Sequence, residues 1–173
     1  MESLGAVIRR PLNQDEQIAA FGDPRPYMLA DGGISPDWER SILGWADLPQ
    51  PLPLSWKNTI RVKRFRCHIL LSMPFTDALI RCNLNPGAWA TVNDFGGCYN
   101  FRTNRRNNKS LSKHAWGTAI DIDVCDNPQG RKPRIHPWIV ESFEQHGFMW
   151  GGLFKGKSKD GMHFEFVDVG RLS

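Results

Sequence analysis

The sequence predicts an α+β fold, a small antiparallel sheet flanked by helices. Two alternating segments and one amphipathic segment carry that prediction. Over residues 118–124, Ala119, Asp121 and Asp123 fall on one face, and Ile120, Ile122 and Val124 on the other, as a strand's two-residue period demands. Over residues 162–167, Met162, Phe164 and Phe166 share one face, and His163, Glu165 and Val167 the opposite one. Between these segments Pro137 opens a helix in which Ile139 and Phe143 stand four apart, and Gly147 ends it. The strands are thus a rigid floor that presents polar residues on one side.

The remaining elements follow in chain order. Residues 1–58 read as short helices and loops that wrap onto a main domain of residues 59–173. Asn13 or Asp15 caps a helix that Gly22 ends. Ser35-Pro36-Asp37 is a second helix start, with a cap, proline in the first turn and an acid near the positive end of the helix dipole. Trp38 and Ile42 then share a face. Pro49, Pro51 and Pro53 break the chain before Trp56. Residues 59–71 fit a strand or a strand running into a helix, which periodicity does not separate. A helix over Pro74–Cys82 turns Phe75, Ala78 and Leu79 inward. Residues 89–102 suggest a hairpin around Asp94-Phe95-Gly96-Gly97. Residues 103–113 and 126–130 read as polar loops, and Trp150-Gly151-Gly152 as a turn.

Composition narrows the class. The chain has 173 residues, enough for one domain with a hydrophobic core. Seven Trp and ten Phe point to a core and cleft built from aromatic surfaces. The net charge is +4, with cations gathered at Arg61–Arg66, Arg102–Lys113 and Lys155–Lys159. Such patches suit an anionic partner or simply a solvated surface. No nucleic-acid-binding motif accompanies them. Four cysteines, Cys67, Cys82, Cys98 and Cys125, form no CxxC pair and read as free buried thiols. The N-terminus has no apolar signal-peptide core, and no run reaches the ~20 apolar residues of a membrane span. The expectation is a monomer made in the cytoplasm, without membrane insertion, that reaches any external target only after release.

His114 and Asp121 stand seven positions apart, and Asp160 precedes His163 by three. A catalytic zinc ion takes three imidazole or carboxylate ligands at about 2.0–2.2 Å and leaves one position open. His114, Asp121 and His163 could fill that set for one Zn2+ if the two strands are neighbours, with Asp123 either an equal rival to Asp121 or a group that orients a ligand. Asp160 could take a proton from the attacking water and pass it to a leaving amine. Glu165 is its rival, or a group that orients a ligand. Arg102 could stabilise an oxyanion, and Ser112 could bond a ligand or substrate. His68, His136 and His146 lack comparable neighbours and read as structural or surface residues.

Three blocks in order, Ser112-x-His114-x-x-Gly117-x-Ala119-x-Asp121, Gly147-Phe148-x-Trp150-Gly151-Gly152 and Asp160-x-x-His163-Phe164-Glu165, resemble the zinc D-alanyl-D-alanine carboxypeptidase family. That family includes vancomycin-resistance dipeptidases and the L-alanyl-D-glutamate endopeptidases of phage endolysins, and shares its fold with hedgehog domains. The likeness covers residues 60–167. It implies His114, Asp121 and His163 as zinc ligands, choosing Asp121 over Asp123, and Asp160 as the catalytic carboxylate. Tyr99-x-x-Arg102 resembles the family's arginine block, which implies that Arg102 contacts substrate or oxyanion. The implied substrate is bacterial peptidoglycan. The vancomycin-resistance branch carries Glu-x-x-His where this chain has Asp-x-x-His, so the resemblance favours the endolysin branch and L-Ala–D-Glu cleavage. The alternatives are a D-alanyl-D-alanine carboxypeptidase and a non-catalytic zinc-binding module that binds the wall.

Overall fold

A computed structural model describes residues 10–104 and 109–172. Its elements are helices α1 (Gln14–Phe21), α2 (Pro36–Ile42), α3 (Ser72–Asn83), α4 (Pro86–Trp89) and α5 (Pro137–Gln145). The strands are β1 (Leu43–Leu54), β2 (Lys57–His68), β3 (Phe95–Gly97), β4 (Ala119–Ile122), β5 (Phe148–Trp150) and β6 (His163–Phe166). The six strands form one sheet in the order β2-β1-β3-β4-β6-β5. Neighbours are antiparallel except β1 and β3, which meet in parallel at Leu54 and Phe95. The α+β class and the flanking helices match the expectation.

Several local expectations hold. Asn13 caps α1 in a reciprocal capping box with Glu16, which settles the choice between Asn13 and Asp15. Ser35 caps α2, and Trp38 and Ile42 are buried. The 59–71 segment is a strand that runs through a short 3-10 turn (Ile69–Leu71) into α3.

Two expectations fail. Residues 43–54 are a strand, although they carry Pro49, Pro51 and Pro53. The β1–β2 pairing slips between Asp47 and Leu52, and this irregularity absorbs prolines that cannot donate to a regular ladder. The resulting hairpin crosses residue 58, where the composition change suggested a boundary. The second failure is the 89–102 hairpin. Its start forms α4 and a turn, and its one strand, β3, pairs with β4 instead of folding back on itself.

The edge strand β2 carries Arg61, Lys63, Arg64 and Arg66. Arg64 faces Asp47 and Arg66 faces Glu39. A cationic edge discourages pairing with other chains, so part of the basic character of residues 61–66 has a structural reason.

The two sheet faces differ sharply. One lies against α3 and α5 and is aromatic. Phe143 stacks on Phe164 at 4.2 Å, and Phe148 meets both Phe75 (4.6 Å) and Phe166 (5.2 Å). Pairs of this kind add about 0.5–1.5 kcal/mol each beyond their area burial. Because Phe164 and Phe166 point into this core, alternation drives His163 and Glu165 to the other face. There α1 packs on the 113–118 segment. The Trp116 indole donates to the Gly22 carbonyl at 2.8 Å, and the buried Gln17 amide donates to Thr118 Oγ1 at 2.7 Å. Cys67, Cys82 and Cys98 are buried free thiols as expected; Cys125 is free but exposed.

Candidate metal centre and catalytic cleft

Strands β4 and β6 are neighbours, and their register sets Asp121 directly opposite His163. His114 arrives from a short 3-10 turn (Lys113–Trp116) that Ser112 caps. That turn ends at Gly117, whose φ is +68°. A Cβ there would lie 2.8 Å from the His68 backbone nitrogen, so only glycine permits both the left-handed turn and the close approach. The turn delivers His114 beside the strand pair, with Nε2 3.3 Å from Asp121 Oδ2. His163 Nδ1 lies 2.9 Å from Asp121 Oδ1. One donor atom from each of the three residues falls within 4.8 Å of the others.

The surroundings orient these donors. His114 Nδ1 lies 2.7 Å from the Cys98 carbonyl. A carbonyl only accepts, so Nδ1 carries a proton, and in the neutral ring that a metal requires Nε2 offers its lone pair. His114 Nε2 is buried without a hydrogen-bond partner among the described residues, an arrangement that a metal ion would satisfy. On the other ring, His163 Nε2 lies 3.1 Å from Glu165 Oε2, leaving Nδ1 as the nitrogen aimed at Asp121. Glu165 thus occupies the place of a carboxylate that holds a liganding imidazole from behind.

Charge is tightly coupled here. Burial alone would raise the Asp121 carboxyl, but His114 and His163 hold it well below the usual carboxylate range. Burial alone would lower the His163 imidazole, but Asp121 and Glu165 push it up to about 10. His163 must release that proton to ligate a metal. The donor set, the orphaned nitrogen and the supporting carbonyl and carboxylate together fit a metal ion.

Asp160 sits in a turn beside this set and is buried. Its Oδ2 accepts from the Gln129 amide at 2.8 Å, and its Oδ1 has no hydrogen-bond partner among the described residues. Burial raises its carboxyl above the usual value, which makes it a better proton acceptor near neutral pH. The turn depends on Gly151: a Cβ there would lie 2.6 Å from the Asp160 carbonyl and 3.1 Å from His163 Cβ. The Trp150 indole also donates to the Gly161 carbonyl at 2.8 Å. The Trp-Gly-Gly and Asp-Gly-Met-His blocks therefore interlock.

A cavity of about 120 Å³ lies over the centre, bordered by His114, Asp121, Asp160, His163 and Glu165, with Arg102 and Ser112 at its wall. Arg102 Nη1 donates to the Thr103 carbonyl at 3.2 Å. Ser112 Oγ accepts from the His114 backbone. Asp123 is not brought to this cavity. Strand β4 stops at Ile122, Asp123 adopts φ +54°, and its carboxylate binds Asn93 and Asn127.

Sequence reasoning passed over Lys113, Gln17 and Gln129. The Lys113 ammonium donates to the Leu12 carbonyl and, at 3.2 Å, to Gln17 Oε1. It also lies close enough to Glu165 to feel its charge. Gln129 steers Asp160. Only Lys113 had a visible signal, its place between Ser112 and His114.

Residues 105–166 match the family model described as D-alanyl-D-alanine carboxypeptidase. The match supports the zinc D-alanyl-D-alanine carboxypeptidase type read from the motifs. It spans all three candidate ligands, Asp160 and Glu165, and does not reach Arg102 or anything before it. No curated protein and no solved structure matches the chain. At the level of class, this family supports a peptidoglycan peptidase.

Proposed function

We propose that this protein is a zinc peptidase that hydrolyses the stem peptides of peptidoglycan, as an L-alanyl-D-glutamate endopeptidase of the phage endolysin kind. The observation that carries the reading is the convergence of His114, Asp121 and His163 beside a buried Asp160 oxygen with no hydrogen-bond partner among the described residues. A zinc ion held by those three residues would supply Lewis acidity, polarising the scissile carbonyl and acidifying water.

Each protein group then has a defined task. Asp160 accepts the proton of the attacking water and returns it to the leaving amine, while Gln129 fixes the rotamer that aims Oδ1 inward. Glu165 holds the His163 ring through Nε2. Arg102 offers positive charge to the oxyanion that develops at the carbonyl, and Ser112 braces the turn that carries His114. Asp123 takes no part, since it is bonded elsewhere. The enzyme would reach the wall by release from the producing cell, with the help of a holin, or as a virion component.

A second reading is a D-alanyl-D-alanine carboxypeptidase, favoured by the description of the matching family. Digestion of purified peptidoglycan with and without chelator, followed by mass spectrometry of the new termini, separates the two. New D-Glu amino termini are the expected result. Released D-Ala would transfer the assignment to the carboxypeptidase. Absence of cleavage with zinc supplied would sink both.

A further inference from the structure

The cavity over the centre is the middle of a longer cleft. On one side it continues into a space of about 510 Å³ along α1, through Lys113, Gln129 and Glu165. On the other it continues into a space of about 430 Å³ bordered by Gly97, Asn100 and Arg102. His114 and Asp121 line this second arm too, so it opens onto two of the candidate ligands. Its outer wall is Trp56, at the tip of the β1–β2 hairpin.

Trp56 is 67% exposed. Its ring lies over Gly97, where an added Cβ would come within 3.9 Å of it. An exposed aromatic face, a backbone floor, an amide and a guanidinium make a surface for a ring that is apolar on one face and hydrogen-bonding at its rim.

We propose that the Trp56 arm binds the N-acetylmuramic acid sugar to which the stem peptide is attached. This rests on the L-alanyl-D-glutamate reading, and chain length makes the connection. A residue spans at most about 3.5 Å. The sugar's lactyl group is one residue from the L-Ala–D-Glu bond, so cleavage there brings the sugar to the edge of the centre. The D-Ala–D-Ala bond lies four residues away, roughly 14 Å of extended chain, so cleavage there would hold the sugar that much farther from the centre. The pyranose stacks on Trp56, while the Asn100 amide meets its N-acetyl group.

The test compares a disaccharide-tripeptide with the same tripeptide lacking the sugar. Wild-type protein should show the lower KM for the sugar-bearing substrate. Trp56→Ala should raise that KM on the order of three- to ten-fold, leave kcat unchanged and leave the sugar-free peptide unaffected, with Trp56→Phe recovering part of the loss. Equal effects on both substrates, or no sugar preference in the wild type, would overturn the proposal. Calorimetric titration of chelated protein with the disaccharide-tripeptide separates this from the peptidase reading. Binding that depends on Trp56 without cleavage would retain the sugar site and remove the endopeptidase. Cleavage with no Trp56-dependent binding would do the reverse.

Discussion

The two sides of the cleft are made in different ways. The metal-facing side comes from β4 and β6, short central strands whose apolar residues Ile120, Ile122, Phe164 and Phe166 are buried in the core, and from the tight turn that carries His114 beside them. The opposite side draws on residues 10–58, through α1 and the tip of the β1–β2 hairpin, together with residues 96–102. Donor groups must meet within a few tenths of an ångström to hold a metal, and only the packed sheet gives that precision. Substrate walls need shape rather than coordination geometry, and a hairpin tip suffices. The family match covers the donors and does not reach α1 or the hairpin tip.

The largest expected effect lies on the metal side. Asp160→Asn should lower kcat by roughly 10²–10⁴-fold while the protein keeps its zinc. Near-normal turnover would shift the base to Glu165. His68, at the joint between the two sides, has the next largest. It packs edge-on against Phe21 of α1, its backbone donates to Gly117, and burial lowers its imidazole to about 4. The unfolded chain protonates this group near pH 6.5, so its neutral form stabilises the fold fully above that pH. That stability is lost as pH falls towards 4, by about 3 kcal/mol. Denaturant titrations from pH 7 to 4 should show the loss, and His68→Gln should flatten it. An unchanged slope in the variant would place the effect elsewhere.

Glu165→Gln should weaken zinc binding about 10–100-fold without removing the site, measured by competition with a chromogenic chelator. Unaltered affinity would mean that the His163 ring needs no brace. The smallest effect belongs to Gln17→Ala, which leaves Thr118 and Lys113 short of a buried partner. It should cost about 1–3 kcal/mol of stability at full zinc occupancy. Loss of zinc would show that α1 shapes the centre itself and would blur the division between the two sides.

The same divide governs what can be read from residues alone. Ile120, Ile122, Phe164 and Phe166 mark the strands by their period, and so they place Asp121, His163 and Glu165. The period does not reveal that β4 ends at Ile122, because the left-handed turn at Asp123 is held by Asn127 four residues on and by Asn93 from a distant part of the chain. Alternation therefore leaves Asp121 and Asp123 equal, and the fold separates them. Residues 43–54 carry three prolines, a strong local signal against a strand, yet a slipped pairing with β2 overrides it. Gln17 and Gln129 have no signature because their partners, Thr118 and Asp160, are far away in sequence. Trp56 is legible as an aromatic residue but not as part of a cleft wall, since only the pairing of β1 with β3 brings the hairpin tip over Gly97.

The most direct measurement is zinc titration of chelator-stripped protein by calorimetry, run in parallel on the wild type and Asp121→Ala. The geometry predicts one ion per wild-type chain and no comparable binding in the variant. Undiminished binding by Asp121→Ala, or none by a folded wild type, would contradict a metal centre at His114, Asp121 and His163.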